Sequence, residues 1–206
     1  MIRRAGIRAV VMMTVSEMNC RELPAVMDAV AEAGADGFGF ARYVPTSAEK
    51  HNAIPPTEYR ALLDTYVKKR REYILRGSFT TFALKDHLLA LYFYEERNFK
   101  PPAYCHREGD QMPAGCHCAN GSAAILSDGT FMACRRASGT VLGNIFSDDL
   151  ADMWDKAKKT YRRYDRYANC SRCKLAPWCR GCPAVAWGTT GDYFSGDPQC
   201  WHVVEE

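Results

Sequence analysis

The 206 residues are 47% hydrophobic and 25% charged, with 27 basic against 24 acidic side chains. A balance of +3 argues against nucleic acid or an anionic membrane as the main partner, and no apolar run approaches the roughly 18 residues of a membrane helix. The outlier is cysteine: ten in all, nine of them between Cys105 and Cys200, a density at which a disulfide scaffold or a metal site must be weighed.

In chain order, Met1-Ile2-Arg3-Arg4 is basic and an apolar run follows, yet no small-residue cleavage site comes after it. Ala9 to Val15 therefore reads as a buried strand. Leu23, Val26, Met27, Val30 and Ala33 share a helical face, with Asn19 and Glu22 as a capping box, Pro24 delaying the regular helix and Gly34 as its stop. Asp36 to Ala41 reads as a second strand, so the segment makes one right-handed βαβ unit. Helices are expected over about 57–75 and 82–97. The stiff Lys100-Pro101-Pro102 marks a boundary between residues 1–100 and 101–206.

Beyond it, Ala123 to Cys134 predicts a hairpin closed by the tight Asp128-Gly129 turn. Leu142 to Ile145 is a short apolar segment. Ser147 is the expected cap of a helix that contains Leu150, Met153 and Trp154 and carries Asp148 and Asp149 in its first turn. The last 37 residues, from Cys170, read as irregular and in need of a framework.

The cysteines supply one. They run Cys116-x-Cys118, Gly129-x4-Cys134, then Cys170-x2-Cys173-x5-Cys179-x2-Cys182-x17-Cys200. Structural disulfides suit Cys-x2-Cys pairs poorly. A zinc ribbon separates its two knuckles by about 15–20 residues, whereas these lie five apart and leave four of the eight cysteines over. Iron–sulfur clusters take thiolates from such tight runs, and two four-iron clusters use seven or eight.

The ordered set, with Ser127-Asp128-Gly129-Thr130, Leu142-Gly143-Asn144-Ile145, Cys179-Arg180-Gly181-Cys182 and Asp197-Pro198-Gln199-Cys200, resembles the SPASM domain of radical S-adenosylmethionine (SAM) enzymes. The likeness is strong over 116–200 and weaker over 1–45. It implies an α/β fold: the last β/α units of a partial barrel in 1–100, followed by a small, irregular α+β domain with a β-hairpin and clusters in 101–206.

It also implies two auxiliary 4Fe–4S clusters. One takes Cys118, Cys134 and Cys182, with Cys116 or its rival Cys105 as fourth ligand, or an open iron for a substrate thiolate. The other takes Cys170, Cys173, Cys179 and Cys200. Many relatives hold three residues between the positions of Cys179 and Cys182, where this chain holds two.

The implied activity is hydrogen abstraction from a side chain of a peptide or protein by a SAM-derived radical. A flavodoxin or ferredoxin is the implied electron donor, in the cytoplasm. The Cys-x3-Cys-x2-Cys triplet that binds SAM through a third cluster is absent from the 206 residues. A truncated gene, a fragment of a longer chain and a split partner that supplies a missing N-terminal half are three explanations the sequence leaves open, and the rival class is a non-catalytic iron–sulfur or zinc module that binds peptides.

By analogy with ligand sites at strand ends, Thr14, Ser16, Asn19, Arg42 and Pro45 are candidates to line a nucleoside or substrate pocket. His106, His117 and His202 flank cysteines and read as structural. Tyr161, Tyr164 and Tyr167, alternating with Arg162, Arg163 and Arg166, read as a packing face rather than an RNA platform. Cys20 reads as a buried small hydrophobe.

Overall fold

The computed structural model describes residues 5–45, 52–83, 86–96, 99–104 and 110–202. Two three-stranded sheets organise it. The first is parallel, in the order β1 (Val10–Val15), β2 (Gly37–Arg42), β3 (Thr81–Phe82). Helix α1 (Leu23–Glu32) joins β1 to β2, and α2 (Pro56–Leu75) joins β2 to β3. The βαβ unit is as the apolar spacing predicts, down to the left-handed Gly34 (φ +66°) after α1.

The Asn19 signal ends differently. Its side chain accepts from Ser16 N at 2.9 Å and donates to Thr14 O at 3.0 Å, bracing a 3-10 turn over Cys20–Glu22. The regular helix then starts at Leu23, with Pro24 in its first turn, where a missing N–H leaves no bond unmade.

β3 corrects the expected helix over 82–97. Phe82 is a strand residue paired with Phe38, and the helix, α3, is the shorter Leu89–Glu96. Aromatic packing decides this. Phe82 lies 6.0 Å from the Phe38 ring and stacks at 4.7 Å on Tyr73, while Tyr66 meets Phe40 edge-on at 4.9 Å. Leu23, Met27, Tyr59, Leu63 and Tyr66 complete this core. Cys20 is buried in it, as expected of a small hydrophobe.

The third strand leaves the other edge open: among the described residues β1 pairs only with β2, and Val10 and Met12 are about half exposed (53% and 51%). An uncovered strand edge with exposed apolar side chains favours pairing with another chain.

The second sheet is antiparallel, in the order β4 (Ala124–Ile125), β5 (Thr130–Met132), β6 (Val141–Asn144). The Asp-Gly turn is as predicted, with Gly129 at φ +83° and Thr130 N bonded to Asp128 Oδ1 at 2.9 Å. Helix α4 (Leu150–Tyr161) follows. Its cap is Asp149, not Ser147: the Asp149 carboxylate accepts from Ala151 N and Asp152 N at 2.8 and 3.0 Å. Ser147 instead sits in a turn built on Asn144. Replacing Asp149 by Ala should lower stability by about 1 kcal/mol, with Ser147→Ala near neutral, in urea unfolding.

The irregular tail contains one helix the sequence reading missed, α5 (Pro183–Thr190), opened by Pro183 and closed by left-handed Gly191. Its Gly188 packs so tightly on the Pro45 carbonyl that a Cβ would stand 1.9 Å from the oxygen. Tyr161, Tyr164 and Tyr167 are all buried and pack with Tyr193 and Phe194, so they hold the second core together.

The two cores do not divide cleanly at residue 100. Leu175 and Cys179 are buried in the first core, and Trp201 donates to Glu95 on α3 at 2.9 Å. Among the described residues no helix is long and apolar enough to cross a membrane.

Candidate metal centres

The nine cysteines of the described residues form no disulfide. Cys105 and His106 lie outside those residues. Eight of the nine fall into two groups.

In the first group, Cys116 and Cys118 sit on a tight loop before β4, and Cys134 follows β5. The Cys118 thiol hydrogen-bonds to both Cys116 and Cys134. That contact holds Cys116 well below the usual thiol range and lowers Cys134 to about 6, while the Cys118 thiol is pushed up by the same two neighbours. His87 lies beside Cys116 and helps lower it, a contact with no local signal in the sequence.

Cys182 joins this group. It is buried, raised to about 11 chiefly by that burial, and feels Cys116 and the cations of Arg42 and Arg136. The Arg136 guanidinium donates to Cys182 Sγ at 3.5 Å. A cavity of about 70 Å³ is lined by Cys182, His87, Arg136, Met12 of β1 and the C-terminal end of β2 at Ala41 and Arg42.

Cys170, Cys173, Cys179 and Cys200 form the second group, lining one cavity of about 80 Å³ with Leu91, Asp197 and His202. Cys182 does not line it. Burial, then neighbouring thiols, pushes Cys170 up to about 12, and burial raises Cys179 and Cys200 as well. Four soft sulfurs around one small cavity are a donor set for a thiophilic metal centre.

The split of Cys179 from Cys182 has a backbone cause. Gly181 is left-handed (φ +60°), and a Cβ there would lie 2.3 Å from that of Asp197. Only glycine combines that turn with that close approach. Asp197 can then accept from Cys182 N at 2.7 Å. Arg180, buried beside it, donates to Cys116 O at 2.9 Å and to Ala176 O at 3.1 Å, with the Tyr164 ring 5.1 Å away. The dipeptide between Cys179 and Cys182 thus turns one thiol to each group and ties the two loops together.

Of the strand-end candidates, Thr14 is exposed at the end of β1, opposite Ala41. Ser16 is nearly buried, its N–H taken by Asn19. Pro45 lies against Gly188. The Arg42 guanidinium is buried: it donates to Asp86 at 2.7 Å, to Asp197 Oδ1 at 3.0 Å and to Gln199 at 3.1 Å, and its Nη2 stands 2.9 Å from Asp197 Oδ2 in an ion pair. It links the parallel sheet to the loop that carries Cys200. His117 is exposed, and His202 lines the second cavity.

Residues 116–183 match the model of the SPASM iron–sulfur cluster-binding domain. An AdoMet-dependent heme synthase of Methanosarcina barkeri is 22% identical over 204 residues, 97% of this chain and 57% of the synthase. Among solved structures, SuiB of Streptococcus suis bound to S-adenosylmethionine superposes with a TM-score of 0.65 at 21% identity, over 97% of this chain and 46% of that one. The protein anSMEcpe with bound AdoMet gives 0.65 at 16% identity, over 97% and 51%. At these identities the superpositions show a shared fold, and the chain spans about half the length of each relative. The chain therefore carries a SPASM iron–sulfur cluster-binding domain and resembles the radical SAM enzymes that possess one.

Proposed function

We propose that this chain is the auxiliary-cluster part of a radical SAM/SPASM enzyme that modifies side chains of a peptide or protein, with residues 1–100 as the last units of its barrel. Cys116, Cys118, Cys134 and Cys182 would hold one 4Fe–4S cluster, and Cys170, Cys173, Cys179 and Cys200 a second. The observation that carries this reading is the turn at Gly181, which sends Cys179 and Cys182 to different groups. A zinc ion needs its four donors about 2.3 Å from one point. The eight sulfurs of the two groups match the ligand count of two four-iron clusters, twice what one zinc ion uses.

When bound, such clusters supply or accept single electrons at potentials set by burial and by hydrogen bonds to sulfur. The chain's own residues contribute those terms. Arg136 donates to Cys182 Sγ, and Arg42 places a buried cation near it. Asp197 orients the Cys182 backbone.

Peptide substrates are supported by two neighbours in fold: SuiB has been solved bound to its precursor peptide SuiA, and anSMEcpe bound to a Kp18Cys peptide. The cavity that Cys182 shares with His87, Met12 and the end of β2 is where a side chain would meet that cluster. SAM chemistry requires a companion stretch with Cys-x3-Cys-x2-Cys, and an electron donor of the flavodoxin or ferredoxin type. Reduced thiols fit a cytoplasmic setting.

Anaerobically purified protein should be brown, with about eight irons and equal labile sulfide per chain. Zinc at one or two equivalents without sulfide would overturn the cluster assignment. The chain alone should release no 5′-deoxyadenosine from SAM after reduction, and should do so once a companion with the triplet is supplied. Release by the chain alone would overturn that division of labour.

A further inference from the structure

The near-neutral charge of the chain hides an asymmetry. Residues 156–180 hold nine cations against one carboxylate, Asp165, and so carry +8. With +3 for the whole chain, the other 181 residues carry −5. Part of this charge is spent internally: Arg162 donates to Ala119 O and Asn120 O, Arg180 is buried, and Lys158 pairs with Asp155. Lys156 and Lys159 lie on α4, and Arg166, Arg172 and Lys174 flank the Cys170–Cys173 loop, Arg166 over the Phe194 ring and Lys174 over the Tyr94 ring. Arg166, Arg172 and Lys174 are exposed. Arg163, paired with Asp165, lines together with Lys174 an open cavity of about 640 Å³.

Cys173 lines that open cavity and also the small cavity it shares with Cys170, Cys179 and Cys200. One thiol of the second group thus lines a solvent-open basin whose charged lining is Arg163, Lys174 and Asp165. A protein partner seated in this basin would stand beside that sulfur.

We propose that this basic collar is the docking surface for an acidic one-electron carrier protein, which exchanges an electron with the second cluster past Cys173. The proposal rests on the cluster assignment above. In the inward direction the carrier's reduced flavin or [2Fe–2S] centre loses one electron and the cluster gains one; no bond is made or broken. An anionic patch on the carrier complements the collar, raises the encounter rate and fixes its orientation. Nucleic acid fits less well. Single-strand binders need exposed aromatic faces between their cations, and Tyr161, Tyr164 and Tyr167 are buried.

The test uses the cluster-loaded chain and a plant-type [2Fe–2S] ferredoxin as the acidic carrier. Binding should weaken with rising salt. Arg172→Glu with Lys174→Glu should weaken it about tenfold more, with thermal unfolding unchanged. In stopped flow the same variant should be reduced more slowly by reduced ferredoxin and at the wild-type rate by dithionite. Equal ferredoxin binding and reduction in wild type and variant would overturn the proposal, as would tighter binding of a polyuridine oligonucleotide than of ferredoxin at one ionic strength. Absence of iron and sulfide from the wild type would instead sink the cluster assignment. Ferredoxin binding to the metal-free chain, with and without the two substitutions, would then still decide the docking surface.

Discussion

A chain carrying Cys170→Ala and Cys200→Ala should lose one cluster and keep the other, retaining about four of eight irons. These two sulfurs share their cavity with Cys173 and Cys179 and with no member of the other group. Removing two of four thiolates leaves too few ligands to hold a cubane, whereas the Cys116 group is untouched. The complementary pair, Cys134→Ala with Cys182→Ala, should remove the other four irons, and all four substitutions together should remove everything. The decisive measurement is iron and sulfide per folded chain. If the first pair leaves all eight irons, or the second pair empties both sites, then Cys182 belongs with Cys170, Cys173 and Cys179 and the assignment fails.

Arg42→Met should destabilise the protein by about 3–5 kcal/mol in urea unfolding, the range for breaking a buried ion pair from one side. The Arg42 side chain is 2% exposed, and its partners Asp86 and Asp197 are 6% and 1% exposed. Removing the guanidinium strands two carboxylates in the interior, and neither can reach water without moving its loop. The damage should spread to the first cysteine group, because Asp197 also holds Cys182 N. Iron retention by the variant should therefore fall at the Cys134–Cys182 site before the protein unfolds. A loss below about 1 kcal/mol would mean that water or a rearranged loop replaces the guanidinium.

Arg42 also marks where reading the sequence stopped short. Its place after a strand made it a candidate for a nucleoside pocket, and the structure gives it internal work instead. Its partners lie 44, 155 and 157 residues away in sequence, beyond any local pattern. The βαβ unit, the Asp-Gly hairpin and the ordered cysteines were legible because each is written in spacing of a few residues. Third strand β3 was not, since two paired residues leave no period, and Phe82 looked equally at home on a helix. Helix α5 was hidden by Gly188, Thr189 and Thr190, poor helix formers that tertiary packing overrides. Asp149 over Ser147 as the cap was a choice between two good capping residues two positions apart, which only the register of the helix settles. His87 beside Cys116 had no signal at all.

The contacts from Gln199 and Asp197 back to Ile54 and Arg42 also set an order of events in folding. They close loops of 145 and 155 residues. Such closures are slow relative to helix and hairpin formation, and their entropy must be met before any local contact compensates it. The parallel sheet and the β4–β5 hairpin can form while the chain is still growing. The second cysteine group cannot, because Cys200 reaches it only when the last residues return across the first core. Metal delivered to a growing chain would meet Cys170, Cys173 and Cys179 without Cys200. Loading of that site is therefore a late step, gated by the return of the C-terminal segment, and a chain stalled before residue 200 offers a cluster donor only an incomplete site.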